Sequence, residues 1–304
     1  MLKKISLCII TLSLFLFGCQ SEKKKYPSEY PSSKSYSEKD ILYPQNSKQQ
    51  ILSSSIAIVD YSHTDLGYIM AYLSHENKKR VKIQITSSQN EQTYNYDLVS
   101  LEPIAFPLQM GNGKYMIKIL ENIQGKQYAI VKTLEIDVQI KDELSPFLYP
   151  NQLVNYQKGD SITHKAIEVV KKDDNDLQRI KDIYTFVADY LTYDDQKAAE
   201  ANEKYILPDL NELLKVKKGI CFDYAALMVA MLRINHIPAR LICGNTDVEY
   251  HAWVEVYLKG KGWVNPDIFM DEKTWTRMDP TFRVLNLIMM VNMMQSIIIR
   301  RMKR

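Results

Sequence analysis

The stretch Lys217-Lys218-Gly219-Ile220-Cys221-Phe222-Asp223-Tyr224-Ala225-Ala226-Leu227 decides the fold. After Cys221 the chain is apolar nearly all round, through Val229, Ala230, Met231 and Leu232, which predicts a buried helix ended by Asn235 to Pro238. Gly219 lets the backbone approach closely just before the helix start. A sulfur at a helix start lies beside unpaired backbone N–H groups and the positive dipole end, which favour a thiolate. Thirty residues on comes Tyr250-His251-Ala252-Trp253-Val254-Glu255-Val256-Tyr257-Leu258. Its alternation puts His251, Trp253, Glu255 and Tyr257 on one strand face, with Ala252, Val254, Val256 and Leu258 on the apolar face. A further 28 residues on is Asp279, in Trp275-Thr276-Arg277-Met278-Asp279-Pro280-Thr281-Phe282. A cysteine at a helix start, then a histidine and a carboxylate on strands, supplies a thiol nucleophile, a base and an orienter.

These segments, G-x-C-x-D-Y, H-A-W-x-E-V and D-P-T-F in that order, resemble the transglutaminase-like superfamily of papain-type cysteine enzymes over about residues 145–282. The resemblance implies an α+β domain in which Cys221, His251 and Asp279 are catalytic. Enzymes of this kind attack a glutamine side-chain or peptide amide, form a thioester, and pass the acyl group to an amine or water. It gives no sign of a metal or cofactor requirement. The rival readings are a cysteine protease or amidase acting on cell-wall peptides through the same triad, and a non-catalytic surface binding module. The orienting carboxylate has two candidates, because Trp263-Val264-Asn265-Pro266-Asp267 shares the Trp-x-x-x-Asp pattern. Asp267 lies 16 residues after His251, whereas Asp279 alone is followed by Pro-Thr and is favoured. His164 and His236 lack such a setting, and His236 is read as structural. Cys243 follows Leu241-Ile242 in a strand pattern and is read as a small buried hydrophobe. A Cys221–Cys243 disulfide is conceivable in an exported chain but would silence the nucleophile.

Upstream, residues 52–142 read as strands. Val81, Ile83 and Ile85 alternate with Lys82 and Gln84, as Leu134, Ile136 and Val138 do with Glu135 and Asp137. Turn signals such as Gly111-Asn112-Gly113 separate six or seven short strands, which predicts an antiparallel β-sandwich over residues 51–143 without catalytic features. The fold class is therefore α+β, a sandwich followed by a domain over 144–282. Ser145-Pro146-Phe147-Leu148-Tyr149-Pro150 forms the join. Ile180, Ile183, Tyr184, Val187 and Leu191 then share one helix face, with Asp176 placed to cap its start. Asp173, Asp174 and Asp176 lack the Gly and later bidentate Glu of a calcium loop, so no metal site is assigned.

At the N-terminus, Lys3 and Lys4 precede a 13-residue apolar stretch, Ile5 to Phe17, and then Gly18-Cys19. A membrane span needs about 20 residues, so residues 1–18 read as a signal peptide. Leu16-Phe17-Gly18-Cys19 resembles a bacterial lipobox, which implies cleavage before Cys19 and lipidation of its thiol. Expected, then, is an exported protein lipid-anchored to the outer face of the cell membrane. A secreted chain cut nearby or an uncleaved anchor are the alternatives. Residues 19–50 hold Ile41 and Leu42 as their only aliphatics and read as a flexible linker. Residues 283–304 carry five basic and no acidic residues and 13 apolar ones, an atypical tail. The net charge of +3 arises from that tail and the leader; the body is mildly acidic and shows no clustered basic face for nucleic acid. Protein or peptide of the cell envelope is the expected partner.

Overall fold

The computed structural model describes residues 36–89, 92–171, 175–201, 203–245 and 250–264. The leader, Cys19, Asp267, Asp279 and the 283–304 tail therefore lie outside the described residues. The N-terminal part is all β: β1 (Ile51–Ser53), β2 (Ala57–Asp60), β3 (Tyr68–Leu73), β4 (Val81–Ser87), β5 (Thr93–Asp97), β6 (Ile104–Pro107), β7 (Gly113–Gln124) and β8 (Gln127–Val138). They form two four-stranded antiparallel sheets, ordered β1-β2-β3-β6 and β5-β4-β7-β8. β4 shows the cause most clearly. Val81, Ile83, Ile85 and Ser87 are buried while the residues between them are half-exposed. Val59 and Ile69 of one sheet and Ile83, Ile85, Ile117 and Ile119 of the other close a single core. Two of the strands, β7 and β8, run to 12 residues each, longer than the short strands expected. Register shifts at Ile119/Leu120 and Asn122/Gln124 bend this long hairpin.

The join is bolted rather than loose. Ser145 Oγ donates to the Leu66 carbonyl at 2.7 Å. Gly67 sits at φ 81°, and a Cβ there would stand 2.4 Å from Cγ of Pro146. Sandwich and C-terminal part share one compact unit, Pro31–Arg304.

That C-terminal part continues with α1 (Ser161–Val169), α2 (Asp176–Tyr190), β9 (Thr192–Tyr193), α3 (Asp195–Ala201), α4 (Leu210–Val216) and β10 (Lys218–Gly219). It goes on with α5 (Cys221–Ile234), β11 (Ala239–Asn245), β12 (Tyr250–Leu258) and β13 (Gly262–Val264). Helix α5 is buried from Asp223 to Ile234, as its all-round apolar sequence requires. Ala252, Val254, Val256 and Leu258 of β12 are buried, and β12 packs directly on α5. Ile180, Ile183, Tyr184 and Val187 form the buried face of α2. Its cap is Asn175, not Asp176: the Asn175 side chain accepts from Gln178 N–H at 2.9 Å. Asp176 is already helical and pairs instead with the buried Arg179 at 3.0 Å.

Residues 36–50 correct the expectation of a flexible linker. Ile41 is 6% exposed, Gln45 N–H donates to the Tyr68 hydroxyl, and Lys48 N–H donates to Asp60 at 2.7 Å. Tyr36 stacks on His236 at 4.2 Å, and His236 Nε2 donates to the Asp40 carbonyl at 2.6 Å. Counting aliphatics overlooked the tyrosines, which supply large apolar area with a polar tip. His236 is structural, as read.

Candidate active site

Cys221 is the first residue of α5, after Ile220 in extended conformation. The first turn is held by Asp223, 1% exposed. One carboxylate oxygen accepts from Ile220 N–H at 2.9 Å, and the other accepts from Lys197 Nζ of α3 at 2.7 Å. Asp223 thus satisfies a backbone donor that the helix start leaves open, and Lys197 balances its charge. Gly219 is required by space. A Cβ there would stand 2.7 Å from Cβ of Asp223 and 2.9 Å from Cδ1 of Leu213. The approach to Cys221 is further pinned by parallel pairing of β10 with β9 and by Asp194 N–H donating to the Gly219 carbonyl at 3.0 Å.

His251 lies on β12, opposite Gly244 of β11, and is 2% exposed. It lines a cavity of about 630 Å³ together with half-buried Cys221. The nucleophile and base read from the sequence are thereby brought to one site. Asp279 and Asp267 lie outside the described residues. Cys243 corrects its expectation: it is exposed and lines the same cavity. It stands opposite Ala252, near the end of the pair at which β11 leads on into β12. Cys221 and Cys243 are both thiols, with no disulfide between them.

The far wall was not legible in the sequence. Lys82 of β4 and Asn95 of β5 come from the sandwich, and Lys204 and Tyr205 come from the segment after α3. Nothing in the local pattern of an alternating strand separates a cavity-lining lysine from a solvated one. Lys197 likewise gave no signal, being an ordinary helix lysine 26 residues from its partner. Tyr224, in the same motif, has a buried hydroxyl with no hydrogen-bond partner among the described residues. Burial, then the field of Tyr193, pushes its phenol upward, so it stays protonated. Among the described residues no group of three or more His, Cys, Asp or Glu side chains could hold a metal ion.

Comparison with known proteins follows the same segments. The family described as "Transglutaminase-like superfamily" matches residues 163–280. The protein YebA of Bacillus subtilis is 29% identical over 120 residues, covering 33% of this chain and 16% of its own length. Human kyphoscoliosis peptidase is 23% identical over 143 residues, covering 43% of this chain and 21% of its own. The chain thus spans only about a fifth or less of the length of these relatives. The periplasmic domain of TgpA from Pseudomonas aeruginosa superposes at a TM-score of 0.31, with 11% identity, over 70% of this chain and 92% of its own. So remote a superposition carries no argument, whereas the family match runs from α1 past the histidine strand. Within residues 163–280 this chain carries a transglutaminase-like domain.

Proposed function

We propose that the protein is a cysteine acyltransferase or hydrolase acting on peptide or glutamine side-chain amides. Cys221 is the nucleophile, His251 the base and Asp279 the carboxylate that orients it. The observation that supports this most is the convergence of Cys221, at the start of α5, and His251, on β12, on one cavity large enough for a polypeptide segment. The Cys221 thiolate attacks the amide carbonyl, forming a C–S bond and an oxyanion held by backbone N–H groups at the helix start. Collapse breaks the C–N bond, and the imidazolium of His251 protonates the leaving amine or ammonia. The thioester that remains is attacked by an amine or water. His251 accepts the incoming proton, and Cys221 leaves as thiolate. The net exchange is an amide for a new amide, or for a carboxylic acid. An aspartate at His251 would hold one tautomer and stabilise the imidazolium.

The sequence of residues 3–19 supports a lipid-anchored enzyme on the outer face of the membrane, acting on envelope protein or peptide. Substituting Cys19→Ala tests the anchor, with release from the membrane fraction as the expected result. The chemistry is tested by incubating the protein with glutamine-containing peptides and a labelled primary amine. Hydroxylamine should trap a thioester on wild type and none on Cys221→Ala. Asp279→Asn should lower turnover by about 10⁴, as loss of an orienting carboxylate does in a serine protease, and Asp267→Asn should leave it nearly unchanged. Turnover by Cys221→Ala at the wild-type rate would sink the reading.

A further inference from the structure

The far wall of the active-site cleft is an open sheet edge. Among the described residues β5 is the terminal strand of its sheet, paired only with β4. Leu98 N–H donates to the Val81 carbonyl, and Ser87 N–H donates to the Gln92 carbonyl. In an antiparallel ladder bonded pairs alternate. The register Ile83↔Tyr96 and Ile85↔Tyr94 therefore carries the β4–β5 bonds, and the backbone groups of Thr93, Asn95 and Asp97 point outward from the edge. The Asp97 carbonyl is taken by the side chain of Gln152. Asn95 keeps both its outward N–H and its outward C=O without a partner among the described residues. Asn95 lines the Cys221 cavity and also an adjoining one of about 250 Å³, and Leu153, Tyr205 and Cys243 share both.

The charge of this trough is one-sided. Among the described residues its lining holds Arg80, Lys82, Lys204, Arg233 and Arg240 against Asp97 as the one carboxylate. Arg80 is bound by Asp97, Lys204 by Glu200 and Arg240 by Glu255. Lys82 stands over the Tyr128 ring at 5.1 Å. Arg233, 3% exposed, donates Nε to the Ala239 carbonyl and Nη1 to the Tyr149 carbonyl. Neither Lys82 nor Arg233 has a carboxylate partner among the described residues.

We propose that the trough binds an acidic polypeptide segment in extended form, added as a strand to β5 through Asn95, with Lys82 and Arg233 facing its carboxylates. This rests on the Cys221 reading and gives the accessory sandwich a share in substrate selection. Backbone pairing along an edge supplies affinity independent of sequence, while side chains reaching alternate faces supply selectivity.

The test uses Asn95→Pro, which removes the outward N–H but spares the bonds carried by Tyr94 and Tyr96. Proline is tolerated at such edge positions. Asn95→Ala is the control, since both variants lose the bond from Gln84 Nε2 to the Asn95 side chain. Alkylation of Cys221 is timed with iodoacetamide and with capped tripeptidyl chloromethyl ketones carrying either Glu or Lys. Asn95→Pro should slow the Glu tripeptide by about 3–10-fold, the worth of one hydrogen bond, and leave iodoacetamide unchanged. Asn95→Ala should slow neither, and Lys82→Glu should erase the preference for Glu over Lys. Equal effects of the proline and alanine variants, or no preference for Glu, would overturn the proposal. Separately, a capped Glu-rich tripeptide amide should protect the Asn95 amide of the Cys221→Ala protein from hydrogen exchange. That readout needs no chemistry at Cys221, so absent protection overturns strand addition. Cys221 alkylating no faster than Cys243 with every reagent would instead overturn the nucleophile.

Discussion

Asp223 shows how one side chain both builds the site and burdens it. It closes the first turn of α5 through Ile220 N–H, but it also takes a carboxylate out of water, which is costly without a partner. Lys197 resolves the conflict from a separate helix at 2.7 Å. Two substitutions separate the roles. Asp223→Asn keeps an acceptor for Ile220 N–H and should cost about 1–2 kcal/mol in urea unfolding. Lys197→Met strands a buried carboxylate and should cost about 3 kcal/mol or more. A milder effect for Lys197→Met than for Asp223→Asn would show that water reaches the pair. The two thiols offer a second check at this scale. Cys243 is exposed and Cys221 only half so, so access alone predicts faster labelling of Cys243. If His251 serves Cys221 as its base, as proposed, iodoacetamide should nonetheless modify Cys221 first at neutral pH; the order is read by mass spectrometry.

At the scale of elements, α4, β10 and α5 meet around Gly219. The strand pairing of β10 with β9 fixes where the backbone passes, and the Asp223 and Leu213 side chains then leave no room for a Cβ. Gly219→Ala should destabilise by about 1–3 kcal/mol, as forced overpacking does. It should also slow Cys221 alkylation, since α5 must shift at its first residue. Gly260 is the contrast. It has φ 81°, but a Cβ there would meet nothing within 4 Å, so Gly260→Ala should show only the backbone penalty of about 1 kcal/mol. Circular dichroism melts of the two variants compare the effects directly. If Gly219→Ala melts like wild type, the close packing around Gly219 is softer than its geometry implies.

For the whole molecule, the strap over residues 36–50 links the C-terminal helices to the sandwich. Its sandwich end is fastened by Asp60. Burial pushes that carboxyl up, but the Ser62 hydroxyl and the N–H groups of Lys48 and Ser62 outweigh it and hold the carboxyl below the usual range. A folded pKa below the unfolded one stabilises at neutral pH, fully so above about 4. That stability is lost as pH falls through the depressed folded value. The Lys48 and Gln50 amides should therefore lose hydrogen-exchange protection below about pH 4, and in Asp60→Asn their protection should lack this acid step. An unchanged acid step in Asp60→Asn would assign it to another carboxylate. Deleting residues 36–44 removes the Tyr36–His236 stack and the burial of Ile41. Urea unfolding should show a loss of about 2 kcal/mol or more, the worth of one buried isoleucine. A truly flexible linker would give none.

What the sequence determined by itself was whatever has a local period or a local neighbour. Alternation in Val81 to Ile85 marked the core face of β4, the apolar run after Cys221 marked α5, and the motifs around Cys221 and His251 marked two residues that line one cavity. Such patterns survive in one dimension because the strand and helix repeats act over a few residues. The cap of α2 was missed by one position, since Asn175 and Asp176 both carry capping side chains and only backbone geometry separates them. The tertiary structure alone decided that Cys243 is exposed on the cavity, that Lys197 serves Asp223, and that Lys82 and Asn95 of the sandwich line the same cavity as Cys221. It alone decided that His236 holds residue 40, which is 196 positions away. These contacts join segments distant in sequence, where each residue makes an ordinary local pattern and chain packing alone selects its partner.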